Sequence, residues 1–248
     1  MTAAAIVARD VTVRYRPLLD KKPTLRRSIG RLRHKERETV MAVDGLTIEI
    51  DKGEAFGIIG ANGAGKSTLL KVFAKTMRPD EGTVNVYGKT STLLQLGLGF
   101  NFELSGRRNV YLGGLAAGLR KRQIDELFDG IVAYAGLGTA IDRAVKTYSS
   151  GMFARLAFSV GMAMEPNILL LDEVLAVGDE EFREKSLAAM EELLDRAGTI
   201  VFVSHSLPLV DDFCDRVMWM ETGQIRRVGP ASDVIEEYKA WVKAGKRG

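Results

Sequence analysis

Residues 60–68 read GANGAGKST. No other stretch of the 248-residue chain restricts the fold as much, because this pattern works only between a buried strand and a helix. Both flanks fit. AFGIIG ahead of it is a short apolar strand, and LLKVFAKTM behind it has helical spacing. The pattern G-x-x-x-x-G-K-[ST] is a phosphate-binding loop built here from Gly60, Asn62, Gly63 and Gly65. Its glycines let backbone N–H groups curl around phosphate oxygens without Cβ clashes. The helix starting at Lys66 adds the positive end of its dipole. Lys66 can reach the β- and γ-phosphates, and Ser67, followed by Thr68, can offer its hydroxyl to Mg²⁺. The loop alone specifies a nucleotide, since kinases and GTPases share it.

Around the loop, the periodicity alternates between strands and helices. AIVARDVTVRY and TVMAVDGLTIEI alternate as half-buried strands, and GTVNVYG follows a turn. NILLLDE and TIVFVSH are apolar enough to be buried on both faces, as in a parallel sheet. EEFREKSLAAMEELLDRAG is a charged amphipathic helix ending at Gly198, and LPLVDDFC starts a shorter one. DRVMWMETGQIRRVG reads as a hairpin turning at Thr222-Gly223, and ASDVIEEYKAWVKAG as a final helix. The expected fold is therefore α/β: a P-loop NTPase core with a mostly parallel sheet and an attached N-terminal antiparallel β-subdomain. Residues 105–137 are mostly helical in pattern, although Gly113, Gly114 and Gly118 weaken it. About residues 90–160 form an expected inserted helical subdomain within one domain spanning 1–248.

Composition narrows the class. No apolar run approaches the ~20 residues of a membrane span, and LAFSVGMAMEPNILLL is broken by Glu165 and Pro166. MTAAAIVARD lacks the charged start and apolar core of a secretory signal. Cys214 is the only cysteine, so no internal disulfide can form, which suits a reducing compartment. The net charge of +3 hides an asymmetry. Between Arg14 and Arg37 stand ten basic residues and two acids, against 25 basic and 30 acidic residues elsewhere. The basic character belongs to one insertion, about residues 16–39.

Two strand ends carry further chemistry. ILLLDE ends in Asp172 and Glu173. As a strand beside the phosphate loop, it would bring Asp172 to a Mg²⁺ shell, and Glu173 could polarise an attacking water. The plainer alternative is a strand ending in solvated acids. His205 ends TIVFVSH and could hydrogen-bond a γ-phosphate. His34, within the basic stretch, reads as solvated.

Tyr15, GANGAGKST, Gln95, YSSGM, ILLLDE, AVGD and VSH, in that order, resemble the motif series of ATP-binding cassette (ABC) ATPases over nearly the whole chain. The resemblance implies that Tyr15 stacks on adenine and that Gln95 contacts Mg²⁺ and senses the transport partner. It implies that Asp179 couples two ATP sites, although Asp179 also reads as a helix N-cap. YSSGM stands where the family usually has L-S-G-G-Q. Ser149 and Gly151 match; Tyr148, Ser150 and Met152 depart. A serine hydroxyl and backbone N–H groups at a helix start can still bind the γ-phosphate held by a second copy.

The stretches LLQLGLGFNFELSGRRNVYLGG, YSSGMFARLAFSV and DEVLAVGDEEF resemble ATPases that export O-antigen, capsule, teichoic acid and related polysaccharides. That implies a dimeric ATP-hydrolysing subunit at the cytoplasmic face of the membrane, needing ATP and Mg²⁺. Its partners would be a separate permease dimer and a lipid-linked polysaccharide cargo, with no nucleic acid. The chain ends at Gly248, so no appended C-terminal carbohydrate-binding domain is expected. The basic insertion has two readings: attraction to anionic lipid heads or pyrophosphate, or a solvated insertion. The alternative function is a soluble single-cassette ATPase in cofactor assembly, or a subunit for another substrate class.

Overall fold

The computed structural model describes residues 3–15, 39–92, 100–116, 118–163, 166–172, 180–196 and 198–245. Gln95, Glu173, Asp179 and the basic insertion lie outside them.

Two sheets form the body. In the first, β1 (Ala4–Tyr15) runs antiparallel between β2 (Val40–Asp51) and β4 (Glu81–Val86). The second has the order β5 (Thr90–Thr92), β6 (Ile168–Asp172), β7 (Thr199–Val203), β3 (Ala55–Ile59), β8 (Arg216–Glu221), β9 (Gln224–Pro230). All its neighbours are parallel except the β8–β9 hairpin. The expected α/β core with an attached antiparallel sheet is thus present.

β6 is separated from β3 by β7. The parallel register still carries Asp172 to the phosphate-loop edge. Asp172 pairs with Val203, and Val203 with Ile58, so one row crosses the three strands at their carboxyl ends.

Side-chain alternation sorts these strands onto two faces. Phe56, Ile58, Ile168, Leu170, Val201 and Val203 point toward the first sheet and toward α1 (Lys66–Phe73), whose Leu69, Leu70, Val72 and Phe73 are buried there. Ile59, Leu169, Leu171, Ile200 and Phe202 point the other way. They meet Phe158 of α4 (Ser150–Ala163), Phe182 and Met190 of α5 (Glu180–Asp195), Val210 of α6 (Leu207–Phe213), and Val234 and Ile235 of α7 (Ala231–Lys243). Asp172, two residues past Leu170, therefore falls on the α1 face.

A third cluster holds α2 (Gly106–Ala116), α3 (Lys121–Ala135) and α4 together through Val110, Ile124, Phe128, Ile131, Leu156 and Val160. Gly113 and Gly114 have a packing role here. A Cβ on Gly113 would meet Phe100 and Val160 at 3.0 Å, and one on Gly114 would meet Ile124 at 2.7 Å. Two of the three glycines that weaken the helical pattern thus let α2 approach its neighbours.

Candidate functional site: a braced phosphate loop

The loop between β3 and α1 is wedged between two other backbones. Gly60 has φ +145°, and a Cβ there would lie 2.2 Å from the Met220 carbonyl oxygen. Gly65 has φ +100°, and its Cβ would lie 2.0 Å from the Ala42 carbonyl oxygen. Only glycine meets both demands, of conformation and of space. The β8–β9 turn braces the loop from below. Gly223 donates its N–H to Ala64 O at 3.0 Å, and its carbonyl oxygen accepts from Asp44 N–H at 2.9 Å. Thr222 and Gly223 have φ of +45° and +84°, as a type I′ turn requires. A β-branched residue in that region is strained, so the hairpin spends stability to place Gly223 against the loop. Ala42, Met220 and Gly223 are supports that motif reading does not reveal. The one available signal was the Thr222-Gly223 turn.

Lys66 is 6% exposed, and its Nζ donates to the carbonyl oxygens of Gly60 at 2.7 Å and Ala61 at 2.9 Å. The ammonium thus lies in the curl of its own loop. Asn62, Gly63 and Ser67 are exposed, and Thr68 is half-buried. The first N–H groups of α1 have no partner within the helix by construction, so the loop offers donors, a positive dipole end and a lysine together. These features fit a chain of phosphates.

The structure brings three more candidates to this edge. Asp172 ends β6 on the α1 face. His205, exposed, lies two residues past β7, the strand between the loop and Asp172. Tyr15, at the end of β1 and 41% exposed, has its hydroxyl 3.5 Å from Thr68 Oγ1 and 3.6 Å from Met77 Sδ. Among the described residues, no group of three or more His, Cys, Asp or Glu could hold a metal. Of the residues expected to hold Mg²⁺, Ser67 and Asp172 are described, and they carry a hydroxyl and a carboxylate, oxygen donors of the kind that ion takes.

Ser149 and Gly151 are not brought to the loop by the main packing. α1 packs on β2, β4 and β6, whereas α4 packs on α2, α3 and β5. Ser149 is the helix cap: its Oγ accepts the Met152 N–H at 3.2 Å. That leaves the hydroxyl proton of Ser149 for donation elsewhere. Tyr148, the first departure from the usual motif, donates its hydroxyl to Ala140 O at 2.7 Å. Gln95, Glu173 and Asp179 fall outside the described residues.

Known proteins resemble this chain across the same regions. An O-antigen export system ATP-binding protein from Klebsiella pneumoniae is 44% identical over 199 residues, covering 80% of this chain and 81% of that protein. One from Myxococcus xanthus is 41% identical over 242 residues, covering 95% of this chain. A teichoic acids export ATP-binding protein from Bacillus cereus is 41% identical over 202 residues. The chain spans only 55% and 37% of the length of these last two. A solved dimeric ATP-binding cassette, described as a post-hydrolysis state bound to ADP and Pi, has a TM-score of 0.74 at 20% identity, covering 91% of this chain and 98% of its own. A family model described as ABC transporter matches residues 43–176, which include the phosphate loop, the capped start of α4 and Asp172, and the chain belongs to that family.

Proposed function

We propose that this chain is the ATP-hydrolysing subunit of an exporter that moves a lipid-linked polysaccharide across the cytoplasmic membrane. The observation that carries this reading is the match with the Klebsiella O-antigen export protein over four-fifths of both chains. The braced loop, with Asp172 on its face of the sheet, supports the ATPase half of the reading. Among the described residues no helix is long and apolar enough to cross a membrane, and in this reading a separate permease forms the path.

In this reading the chain is one cassette over residues 1–248, with a helical subdomain at about 90–160 and a basic insertion at about 16–39. It works as a dimer on the cytoplasmic side, attached through the permease. Lys66 and the loop N–H groups hold the phosphates, and Tyr15 presents its exposed ring to adenine. A bound Mg²⁺ would neutralise charge on the β- and γ-phosphates, with Ser67, Asp172 and Gln95 as its protein ligands. Glu173 takes a proton from the attacking water, and His205 orients the γ-phosphate. Ser149 and Gly151 of the second copy close the site, and Asp179 links the two sites.

Two measurements test the proposal. With Glu173→Gln the full chain should bind ATP, lose about 100-fold or more in turnover, as expected when a general base is removed, and persist as an ATP-bound dimer on size exclusion. Normal turnover would remove Glu173 from its role. Cells whose only copy carries Lys66→Ala should retain the polymer on its lipid inside the cell. Normal surface polysaccharide in those cells would overturn the export reading and favour a soluble cassette or another cargo.

A further inference from the structure

We infer that Tyr148 is a positioning residue for the Ser149 hydroxyl, held in place by a pocket that only a glycine at 106 leaves open. The inference rests on the proposed role of Ser149 at the partner's nucleotide and explains why this chain carries tyrosine there.

The chain leading into α4 is fastened to the chain leading into α2. Lys146 N–H donates to Phe102 O at 2.9 Å, Val145 N–H to Leu104 O at 2.9 Å, and Gly106 N–H to Arg143 O at 3.1 Å. Ser105 and Ala144 form an antiparallel bridge. Two ion pairs flank this ladder, Lys146–Glu103 at 2.5 Å and Arg107–Asp142 at 2.7 Å. Tyr148 finishes it. Its ring packs against the cluster formed by α2, α3 and α4, and its hydroxyl reaches Ala140 O at 2.7 Å. The hydroxyl passes over Gly106 so closely that a Cβ there would lie 2.2 Å from it.

Tyr148 is the residue before the cap, so anchoring it sets the direction from which the chain approaches α4. Ser149 then has both its polar oxygens committed: Oγ to Met152 N–H at 3.2 Å and its carbonyl to Phe153 N–H at 3.0 Å. With Oγ fixed as an acceptor, the remaining hydroxyl proton points along a restricted arc away from the helix. Tyr148 thereby turns a mobile serine donor into a preorganised one, and preorganised donors are those that stabilise developing phosphate charge.

The test uses the full chain and steady-state ATP turnover. Tyr148→Phe keeps the ring and loses one hydrogen bond. It should lower kcat about tenfold while the half-saturating ATP concentration moves less than about twofold, because Lys66 and its loop are untouched. Gly106→Ala should lower kcat further. The double variant Gly106→Ala/Tyr148→Phe should recover part of the loss, since the clashing hydroxyl is gone while the Ile141 carbonyl oxygen and Cδ1, each 3.0 Å from the same Cβ, remain. Wild-type kcat in Tyr148→Phe, or a double variant no better than Gly106→Ala, overturns the inference. Hydrogen exchange without nucleotide reads the anchor apart from turnover. Tyr148→Phe should speed exchange at the Met152 amide about tenfold and leave the α1 amides unchanged. An unchanged Met152 amide overturns the anchor even where turnover is lost. Failure of the wild-type chain to hydrolyse ATP, together with faster Met152 exchange in Tyr148→Phe, overturns the ATPase proposal and leaves the anchor standing.

Discussion

At the scale of single residues, the phosphate loop shows how much of a motif is about its surroundings. The consensus explains Gly65 by the needs of phosphate, yet its nearest obstacle is protein, the Ala42 carbonyl oxygen 2.0 Å from where a Cβ would sit. Gly65→Ala therefore has two costs, a φ of +100° imposed on alanine and a backbone collision. Strain of this kind is worth of order 1–3 kcal/mol, which lowers the thermal midpoint by roughly 2–12 °C in a chain of this size. Since relief requires the loop to move off β2, nucleotide affinity should fall by more than about tenfold. Titration with a fluorescent ATP analogue, beside a melting curve, checks both. A variant that melts and binds like the wild type would show that the loop is not braced by Ala42. The loop residues Gly60 to Thr68, together with Asp172 and His205, were legible in the sequence because each sits at a strand end whose apolar run is obvious. Ala42, Met220 and Gly106 were not legible. Their contributions are a carbonyl oxygen or the lack of a side chain, which no pattern of residue types records.

At the scale of elements, the same contrast holds. β6 and β7 are both five-residue apolar runs, buried on both faces apart from the half-exposed Asp172. Periodicity therefore identifies two central strands and is silent on which of them adjoins β3. The three-residue β5 was missed because TST has no apolar pattern to read; it exists by pairing with β6. Glu54 is another feature that tertiary structure creates. It stands just before β3, 9% exposed, where its Oε2 accepts the Asp51 N–H at 2.8 Å and its Oε1 lies 3.3 Å from Arg216 Nη1. Burial pushes its carboxyl above the usual range, against the opposing pull of the Asp51 N–H and Arg216. A raised value means that the folded chain holds the Glu54 proton more tightly than the unfolded chain, where the value is about 4.3. The stability contributed is full below that value and is lost as pH rises through the folded one. The difference in thermal midpoint between wild type and Glu54→Gln should therefore turn against the wild type as pH rises through this window, then level off. A difference moving the other way would mean that Arg216 outweighs the burial.

At the scale of the whole molecule, the core behind β3 ties the phosphate loop to the global stability of the sheet. Cys214 reports on that core. It is 6% exposed, and burial pushes its thiol up to about 12. At pH 8 so little of it is thiolate that modification within the closed fold should be far slower than for a free cysteine. Its sulfur faces β3: a Cβ on Gly57 would lie 3.2 Å from Cys214 Sγ and 2.9 Å from both Val210 and Val217. Exposing Cys214 thus requires α6 and β8 to part from the strand that leads into Gly60. A nucleotide that binds only the intact loop opposes that opening by mass action, and at 100 times its Kd it slows the opening about 100-fold. Labelling of the full chain with a thiol reagent should therefore be slow without ATP and about 100-fold slower with saturating ATP and Mg²⁺. The protection should vanish in Lys66→Ala, which keeps the core and loses the ligand. Labelling that ignores ATP in the wild type would mean that α6 opens by itself while β3 and its loop remain in place, and the loop would then be uncoupled from the core that holds it.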